Sequence, residues 1–233
     1  MTKRFGFTLA EVLITLGIIG VVAAMTMPTL MNSTQGAQYK AAYKKALSAL
    51  SQAVTLNVAL DGGNFSDTVA GTAGKTDKPT GGDSVASILN SRMNIVKAST
   101  AADSGYGMST DGKNSNFPAK VATKVCDDEG KNCTDDSVTP DTFLFFNDGI
   151  MFAYKAADAF GCTDDSVAGV KHCVGVIDVN GTKGPNKITE CDSKTATEAN
   201  CTVTNPKDIY PVEFYDQTIL PASPAAKAVL YSK

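Results

Sequence analysis

The stretch KRFGFTLAE at residues 3–11 runs directly into VLITLGIIGVVAAMTM at residues 12–27. The second part is sixteen residues long and contains no charged side chain. Counted from Phe7, the apolar segment has twenty-one residues, which make about 30 Å of α-helix at ~1.5 Å per residue. That length crosses the hydrocarbon core of a bilayer. The sequence therefore predicts a long N-terminal helix that spans a membrane over residues 7–28.

Glu11 is the one charged residue of this predicted span. A carboxylate at bilayer depth costs roughly 2.5 to 3.5 kcal/mol on insertion scales. One interpretation is an interfacial acid that reaches back to the lipid headgroups. The other is a functional acid with a cationic partner, which is the default hypothesis for a charge inside a membrane.

About the first 30 residues resemble the N-terminus of type IV prepilins and of the related type II secretion pseudopilins. Two cations precede a Gly6-Phe7 junction, and Glu11 is the fifth residue counted from Phe7. The resemblance implies that a prepilin peptidase cuts after Gly6, that the new terminal amine of Phe7 is methylated, and that Glu11 serves in assembly. It also implies a helix break at Pro28, where many members of the family carry a proline.

Cleavage after Gly6 would create an ammonium group at Phe7 that Glu11 can meet. A charge pair at ~4 Å with an effective dielectric near 20 gains about 4 kcal/mol, which is comparable with the insertion cost of Glu11. Within one helix the two groups are poorly placed to pair, whereas staggered neighbouring subunits can bring them together. The pair would then set the axial register of a filament.

An ordinary secretory signal is the competing interpretation of the N-terminus, because Val22-Ala23-Ala24 is a small-residue cleavage pattern. Glu11 at the start of the apolar segment and the absence of basic residues between Arg4 and that segment disfavour it.

The charge of the chain disfavours a nucleic-acid partner. The chain has 21 basic and 24 acidic residues, a formal net charge of −3. Removal of residues 1–6 leaves 19 basic residues and a net charge of −5. Since duplex binding relies on Lys and Arg to neutralise phosphates, we expect no nucleic-acid partner.

Six cysteines lie in the C-terminal half, and none of them forms a Cys-x-x-Cys pair: Cys126, Cys133, Cys162, Cys173, Cys191 and Cys201. An even number, no metal spacing and an exported N-terminus predict three disulfides in an oxidising compartment. We favour sequence-local pairs, because each brackets a polar, turn-rich loop: Cys126 with Cys133, Cys162 with Cys173, and Cys191 with Cys201. A free pair or another connectivity is the alternative.

The residues after Pro28 predict that the helix resumes as an amphipathic helix, whose apolar stripe packs under a sheet and which ends at Asp61-Gly62-Gly63. A loop over residues 62–82 should follow. Asp83 is then expected to cap a short helix. Residues 98–140 are interpreted as irregular structure held by the first cysteine pair.

Strands are predicted at residues 142–146 and 150–154, because Asn147-Asp148-Gly149 supplies a hairpin turn between them. A third strand is predicted at 174–179 and a further one at 209–215. The first three should form an antiparallel meander on the helix. Finally, Ser223-Pro224 predicts a short helix through Leu230.

His172 is the single histidine and stands beside Cys173, so a cysteine–histidine nucleophile has to be weighed. A disulfide at Cys173 would remove the thiolate. We therefore interpret His172 as a surface histidine. We predict that the chain has no catalytic residue and is not an enzyme.

The segment 178–186 superficially suggests a calcium loop. In an EF-hand register, however, the sixth position is Lys183 rather than Gly, and the twelfth is Thr189 rather than Glu. No cofactor and no metal ligand are therefore predicted. An irregular calcium site in this loop stays open as the alternative to a plain Asn180-Gly181 turn.

The predicted fold is α+β and pilin-like, with a long N-terminal helix packed on a small antiparallel sheet whose loops are held by disulfides. The predicted organisation is a leader over residues 1–6 that is removed, a helix over 7–60, and a globular head over 61–233.

The resemblance implies a structural subunit of a type IV pilus-like or type II secretion pseudopilus filament. It implies a single-pass inner-membrane protein with a periplasmic head, which later joins a cell-surface or periplasm-spanning filament. The implied partners are prepilin peptidase, other pilin or pseudopilin subunits, and an inner-membrane assembly platform. Two alternatives stay open: a minor tip pilin that acts as an adhesin, and a membrane-anchored periplasmic protein that does not assemble. A pilus, a secretion system and a DNA-uptake apparatus are all compatible with the sequence.

Overall fold

The computed structural model of the chain describes residues 8–69, 83–100, 121–125, 134–163, 172–181, 183–193 and 195–232. The fold over these residues is α+β and pilin-like, as predicted. Its elements, in chain order, are α1 (Leu9–Asp61), α2 (Val85–Arg92), β1 (Ile95–Thr100), β2 (Val121–Val125), β3 (Thr134–Val138), β4 (Thr142–Phe146), β5 (Met151–Tyr154), β6 (Cys173–Asp178), β7 (Ile209–Tyr215), β8 (Thr218–Pro221) and α3 (Pro224–Tyr231).

Helix α1 is a single helix of 53 residues. It ends where the sequence predicts, at Gly62, which has a φ of 77° and donates its amide to the carbonyls of Asn57 and Val58. Pro28, the predicted helix break, does not end the helix, which continues through this residue. Proline removes one amide donor, but the hydrogen bonds of the neighbouring turns are enough to keep the helical path.

The second half of α1 packs on the head through one face. Tyr43, Leu47, Leu50 and Val54 recur at intervals of three and four residues, and all are buried. The predicted amphipathic helix is therefore confirmed. Helix α2 packs against α1, and its cap is Ser84 rather than Asp83, because the Ser84 hydroxyl accepts the amide of Ser87 at 3.2 Å.

Six strands form one antiparallel sheet in the order β1-β4-β5-β6-β7-β8. The predicted strands at β4, β5, β6 and β7 are confirmed to within one residue at either end. Gly149 closes the β4–β5 hairpin with a φ of 85°, as the turn sequence requires. Helix α3 begins at the predicted Ser223-Pro224 and extends to Tyr231.

The sheet is larger than the predicted three-stranded meander. Strand β1 adds one edge and β8 the other, while β2 and β3 pair with each other as a separate ladder. The irregular structure expected over residues 98–140 is therefore wrong for the end of β1 and for β2 and β3. TDDSV of β3 is polar except for Val138, and VATKV of β2 places Thr123 and Lys124 next to each other between apolar residues, so neither strand shows the apolar alternation that predicts a strand.

Two disulfides of the predicted set lie in the described residues. Cys162 and Cys173 are bonded with their Cα atoms 5.4 Å apart, and Cys191 and Cys201 with theirs 5.3 Å apart. The other two cysteines, Cys126 and Cys133, lie outside the described residues.

Candidate functional site

The first half of α1 carries the predicted membrane segment. Leu9–Pro28 is a 20-residue span with a mean hydropathy of 2.2, and none of it is buried against the rest of the described chain. By length and composition it can cross a membrane. Most of its large aliphatic side chains are more than half exposed: Leu9, Leu13, Ile14, Leu16, Ile18, Ile19, Val21 and Val22.

Glu11 lies in the first turn of this segment and is held by Thr8. The Thr8 backbone amide donates to Glu11 Oε2 at 2.8 Å, and the Thr8 hydroxyl donates to the same oxygen at 2.6 Å. In return, the Glu11 amide donates to the Thr8 hydroxyl oxygen at 3.3 Å. The two residues form a capping box, which satisfies amide groups that a helix N-terminus otherwise leaves free.

The capping box supplies Glu11 with hydrogen-bond donors but with no positive charge. In the described part of the chain, no Lys or Arg forms an ion pair with Glu11. The predicted cleavage junction, Gly6 and Phe7, lies outside the described residues. The pairing of Glu11 with a Phe7 ammonium therefore stays a prediction.

Thr8 is the local hydrogen-bond partner of Glu11, and the sequence-based prediction did not include it. The signal was present, because Thr8-Leu9-Ala10-Glu11 has the form Thr-x-x-Glu, which is the sequence signature of a capping box.

The hydroxyl groups farther along the span are also satisfied within the helix. Thr15 donates to the Glu11 carbonyl at 2.9 Å, and Thr26 donates to the Val22 carbonyl at 3.0 Å. A buried hydroxyl without a partner is costly in hydrocarbon. These bonds make both threonines compatible with a lipid surrounding.

The second candidate site, at His172 and Cys173, has no free thiol, because Cys173 is bonded to Cys162. The prediction of a surface histidine is wrong as well, since only 4% of the His172 side chain is exposed. The His172 ring stacks on Tyr215 with centroids 3.9 Å apart, and its Nδ1 lies 3.4 Å from Glu213 Oε2. The imidazole therefore packs as part of the head beside the disulfide.

Residues 1–27 match the family model of the prokaryotic N-terminal methylation motif. The match covers the predicted leader, the Gly6-Phe7 junction, Glu11 and most of the apolar span. The resemblance at the N-terminus is thus confirmed, and the chain carries the leader signature of type IV pilins and pseudopilins. No curated protein and no solved structure matches the chain.

Proposed function

We propose that this chain is a structural subunit of a type IV pilus-like or type II secretion pseudopilus filament, and that it assembles through α1. One coincidence carries the proposal: the methylation motif over residues 1–27 falls on a helical segment, Leu9–Pro28, that its own head leaves uncovered. The same α1 is anchored in the head by its second half, where Tyr43 and Leu50 are fully buried. The first part of α1 is thus an exposed apolar segment, Leu9–Pro28, and the second part of the same helix belongs to the folded head.

Maturation removes residues 1–6 through a prepilin peptidase and leaves a methylated amine on Phe7. The span over residues 7–28 then holds the protein in the inner membrane, and the head over 61–233 stands in the periplasm. Disulfides such as Cys162–Cys173 are consistent with that placement, because they persist in oxidising compartments.

During assembly, helices of neighbouring subunits replace the lipid that surrounds the apolar segment Leu9–Pro28. Full burial of one large aliphatic side chain is worth about 1.5–3 kcal/mol relative to water. Transfer of the segment from the bilayer into water would therefore be strongly unfavourable, because many such side chains would become exposed. Helices of other subunits replace the lipid, so the apolar surface stays covered as the subunit enters the filament through the assembly platform.

Glu11 has two partners in this scheme, one in each state. In the membrane, the amide and hydroxyl of Thr8 satisfy one carboxylate oxygen. In the filament, the methylated ammonium of Phe7 from a neighbouring subunit adds the opposite charge. The free energy gained on assembly is the difference in electrostatic stabilisation of Glu11 between these two environments. It is gained only when neighbouring subunits have the correct axial stagger.

The test is to compare the protein in the membrane fraction with the protein in sheared filaments from the same cells. Intact mass and N-terminal sequencing should give a mature chain that begins at methylated Phe7 in both fractions. A chain that starts at Met1 or Met25 would contradict the processing step. A correctly processed chain found only in the membrane fraction would contradict assembly and favour an anchored protein.

A further inference from the structure

A groove of about 400 Å³ lies on the head where α1 enters it. It is lined by Gly36 and Ala37 of α1, by Thr202 and Thr204 from the segment after the second disulfide, and by the last turn of α3. Among the described residues, Gly36 is the first of α1 to be buried. Ala37, Thr202 and Thr204 are exposed, so the groove is accessible from outside. Its volume is within the range of small-ligand sites.

The length of α1 places this groove at the level of lipid headgroups. Lys40 lines the groove and is the first charged residue after Glu11. The two charges are 29 residues apart on one continuous helix, which is about 43 Å at ~1.5 Å per residue. A bilayer with its headgroup regions is about 40–45 Å thick. When Glu11 lies in one headgroup region, Lys40 therefore reaches the opposite one.

The groove has the charge of an anion site. Lys40 already interacts within the chain, but an ammonium group has three N–H donors and can add a phosphate oxygen to its partners. One turn later, Lys44 Nζ donates at 2.6 Å to the carbonyl of Ser232, which also lines the groove. No acidic side chain of the described residues lines it. Positive charge therefore dominates its interior.

Two acids stand at the rim of the groove, and both have hydrogen-bond donors. Glu198 Oε2 is paired with Lys227 Nζ at 3.1 Å. Asp192 Oδ2 accepts the hydroxyls of Thr202 at 3.2 Å and of Thr204 at 2.8 Å. Hydrogen bonds from Thr204 lower the pKa of Asp192, so this carboxylate is charged at neutral pH. Asp192 should weaken the binding of an anion without preventing it.

We propose that this groove binds the phosphate group of an anionic phospholipid in the periplasmic leaflet while the subunit is stored in the membrane. Val203 and Val229 also line the groove, so the glycerol and upper acyl part of the lipid has apolar surface to contact. Tyr231, on the last turn of α3, is 75% exposed, and tyrosine favours the membrane interface because its ring is apolar and its hydroxyl polar.

The inference rests on the membrane span of the proposed function but not on filament assembly. A bound lipid would hold the base of the head against the membrane surface, in addition to the hold of the apolar segment Leu9–Pro28. One lysine near an anionic membrane strengthens the attraction about fivefold. The subunit would release this lipid when it leaves the membrane.

The experiment uses a fluorescent reporter beside the groove. The chain contains no tryptophan, so Tyr231→Trp at this exposed position introduces a single one. The full-length protein with this substitution is reconstituted into nanodiscs with equal amounts of phosphatidylglycerol and phosphatidylcholine, of which one carries bromine as a short-range quencher. Quenching should report phosphatidylglycerol enriched about fivefold or more around the reporter. The enrichment should be lost at about 1 M NaCl, where the Debye length is about 3 Å.

Variants in the reporter background separate the groove from general charge. Lys40→Gln removes the ammonium group and Ala37→Glu adds a negative charge at an exposed wall, so each should abolish most of the enrichment. Lys40→Arg keeps the charge and should retain it, and Asp192→Asn should increase it. Lys45→Gln is the matched control and should behave like the parent protein, because Lys45 is an exposed cation of α1 that pairs with Asp148 instead.

Equal quenching by the two brominated lipids in the parent protein would overturn the site. An equal loss in Lys45→Gln and Lys40→Gln would show attraction by overall charge and overturn the role of the groove. Complete displacement of the lipid by millimolar glycerol phosphate would overturn a membrane lipid as the occupant. Normal filaments without lipid enrichment would refute this inference alone, whereas a protein that fails to insert into nanodiscs would contradict the membrane span on which the proposed function also depends.

Discussion

Tyr43 of α1 stacks on Tyr210 of β7, with ring centroids 4.0 Å apart and ring planes 11° from parallel. Both side chains are 0% exposed, so this stack joins the long helix to β7, the strand next to the β8 edge of the sheet. Burial raises the pKa of Tyr43 far above the ordinary range of a phenol. The Tyr43 hydroxyl has no hydrogen-bond partner among the described residues. The ring, rather than the hydroxyl, therefore holds the helix in place.

The Tyr43–Tyr210 stack predicts opposite outcomes for two substitutions at Tyr43. Tyr43→Ala removes the ring and leaves a cavity, so the free energy of unfolding should fall by about 3–5 kcal/mol. Tyr43→Phe keeps the ring and removes an unsatisfied buried hydroxyl, so stability should stay within about 0.5 kcal/mol of the wild type or rise. Urea unfolding of the detergent-solubilised protein measures both. A Tyr43→Phe variant as unstable as Tyr43→Ala would show that the hydroxyl has a partner.

The two described disulfides offer a matched comparison, because they close loops of nearly equal length. The sequence separations are 11 and 10 residues, so chain entropy predicts about 2.7 kcal/mol for each. Cys162 and Cys173 are also buried in the core, whereas Cys201 at the other bridge is only half-buried.

Replacing both cysteines of a bridge by alanine should therefore cost more at Cys162–Cys173 than at Cys191–Cys201. Thermal unfolding under non-reducing conditions gives the two values. Equal losses would mean that loop entropy alone decides the effect. Alkylation before reduction should in addition find no free thiol, which extends the expected pairing to Cys126 and Cys133.

Several elements were predictable because their signals are local. The Asn147-Asp148-Gly149 turn lies between two apolar runs, and the buried apolar side chains of α1 recur at helical spacing. Strand β1 gave no such signal, because it places a polar residue, Ser99, in a position that is only 1% exposed. Its partner β4 lies more than forty residues away in the sequence. The pairing rather than the composition makes β1 a strand.

The residues discussed as candidate sites also differ in whether a local sequence signal reveals them. Glu11 stands out because a charge in an apolar run is visible from the sequence alone, and Thr8 follows from a motif of four residues. Two fully buried acids, Asp178 at the end of β6 and Asp208 just before β7, could not be connected from their spacing, because only the register of β6 with β7 brings them together.

Gly181 is predicted to be irreplaceable in the turn after β6. It has a φ of 64°, and a Cβ atom there would lie 2.8 Å from the carbonyl oxygen of Gly149. Gly181→Ala should lower the free energy of unfolding by about 1–2 kcal/mol or more, because backbone strain and the contact add. Gly184→Ala in the same loop is the control, since no atom lies within 4 Å of its added Cβ. Equal stability of the two variants would contradict this role of Gly181.

The last prediction separates membrane insertion from filament assembly at Glu11. Glu11→Ala removes the acceptor of the Thr8 bonds, and Glu11→Gln keeps its size but deletes the charge. Both should insert as well as the wild type or better, because a costly intramembrane charge is gone. Both should still be cleaved after Gly6. Both should nevertheless enter filaments poorly, because the Phe7 ammonium of a neighbouring subunit then lacks its counter-charge.

Thr8→Val is the matched control for Glu11, since it removes the hydroxyl donor of the capping box but leaves the carboxylate. If the charge of Glu11 drives assembly, Thr8→Val should be incorporated far better than Glu11→Gln. If the capping box itself is required, the two variants should fail alike. The measurement is the ratio of variant protein in sheared filaments to that in membranes, in cells with the wild-type assembly machinery. Equal ratios for the wild type and Glu11→Ala would refute the role of Glu11, because a plain membrane anchor has no amine to meet.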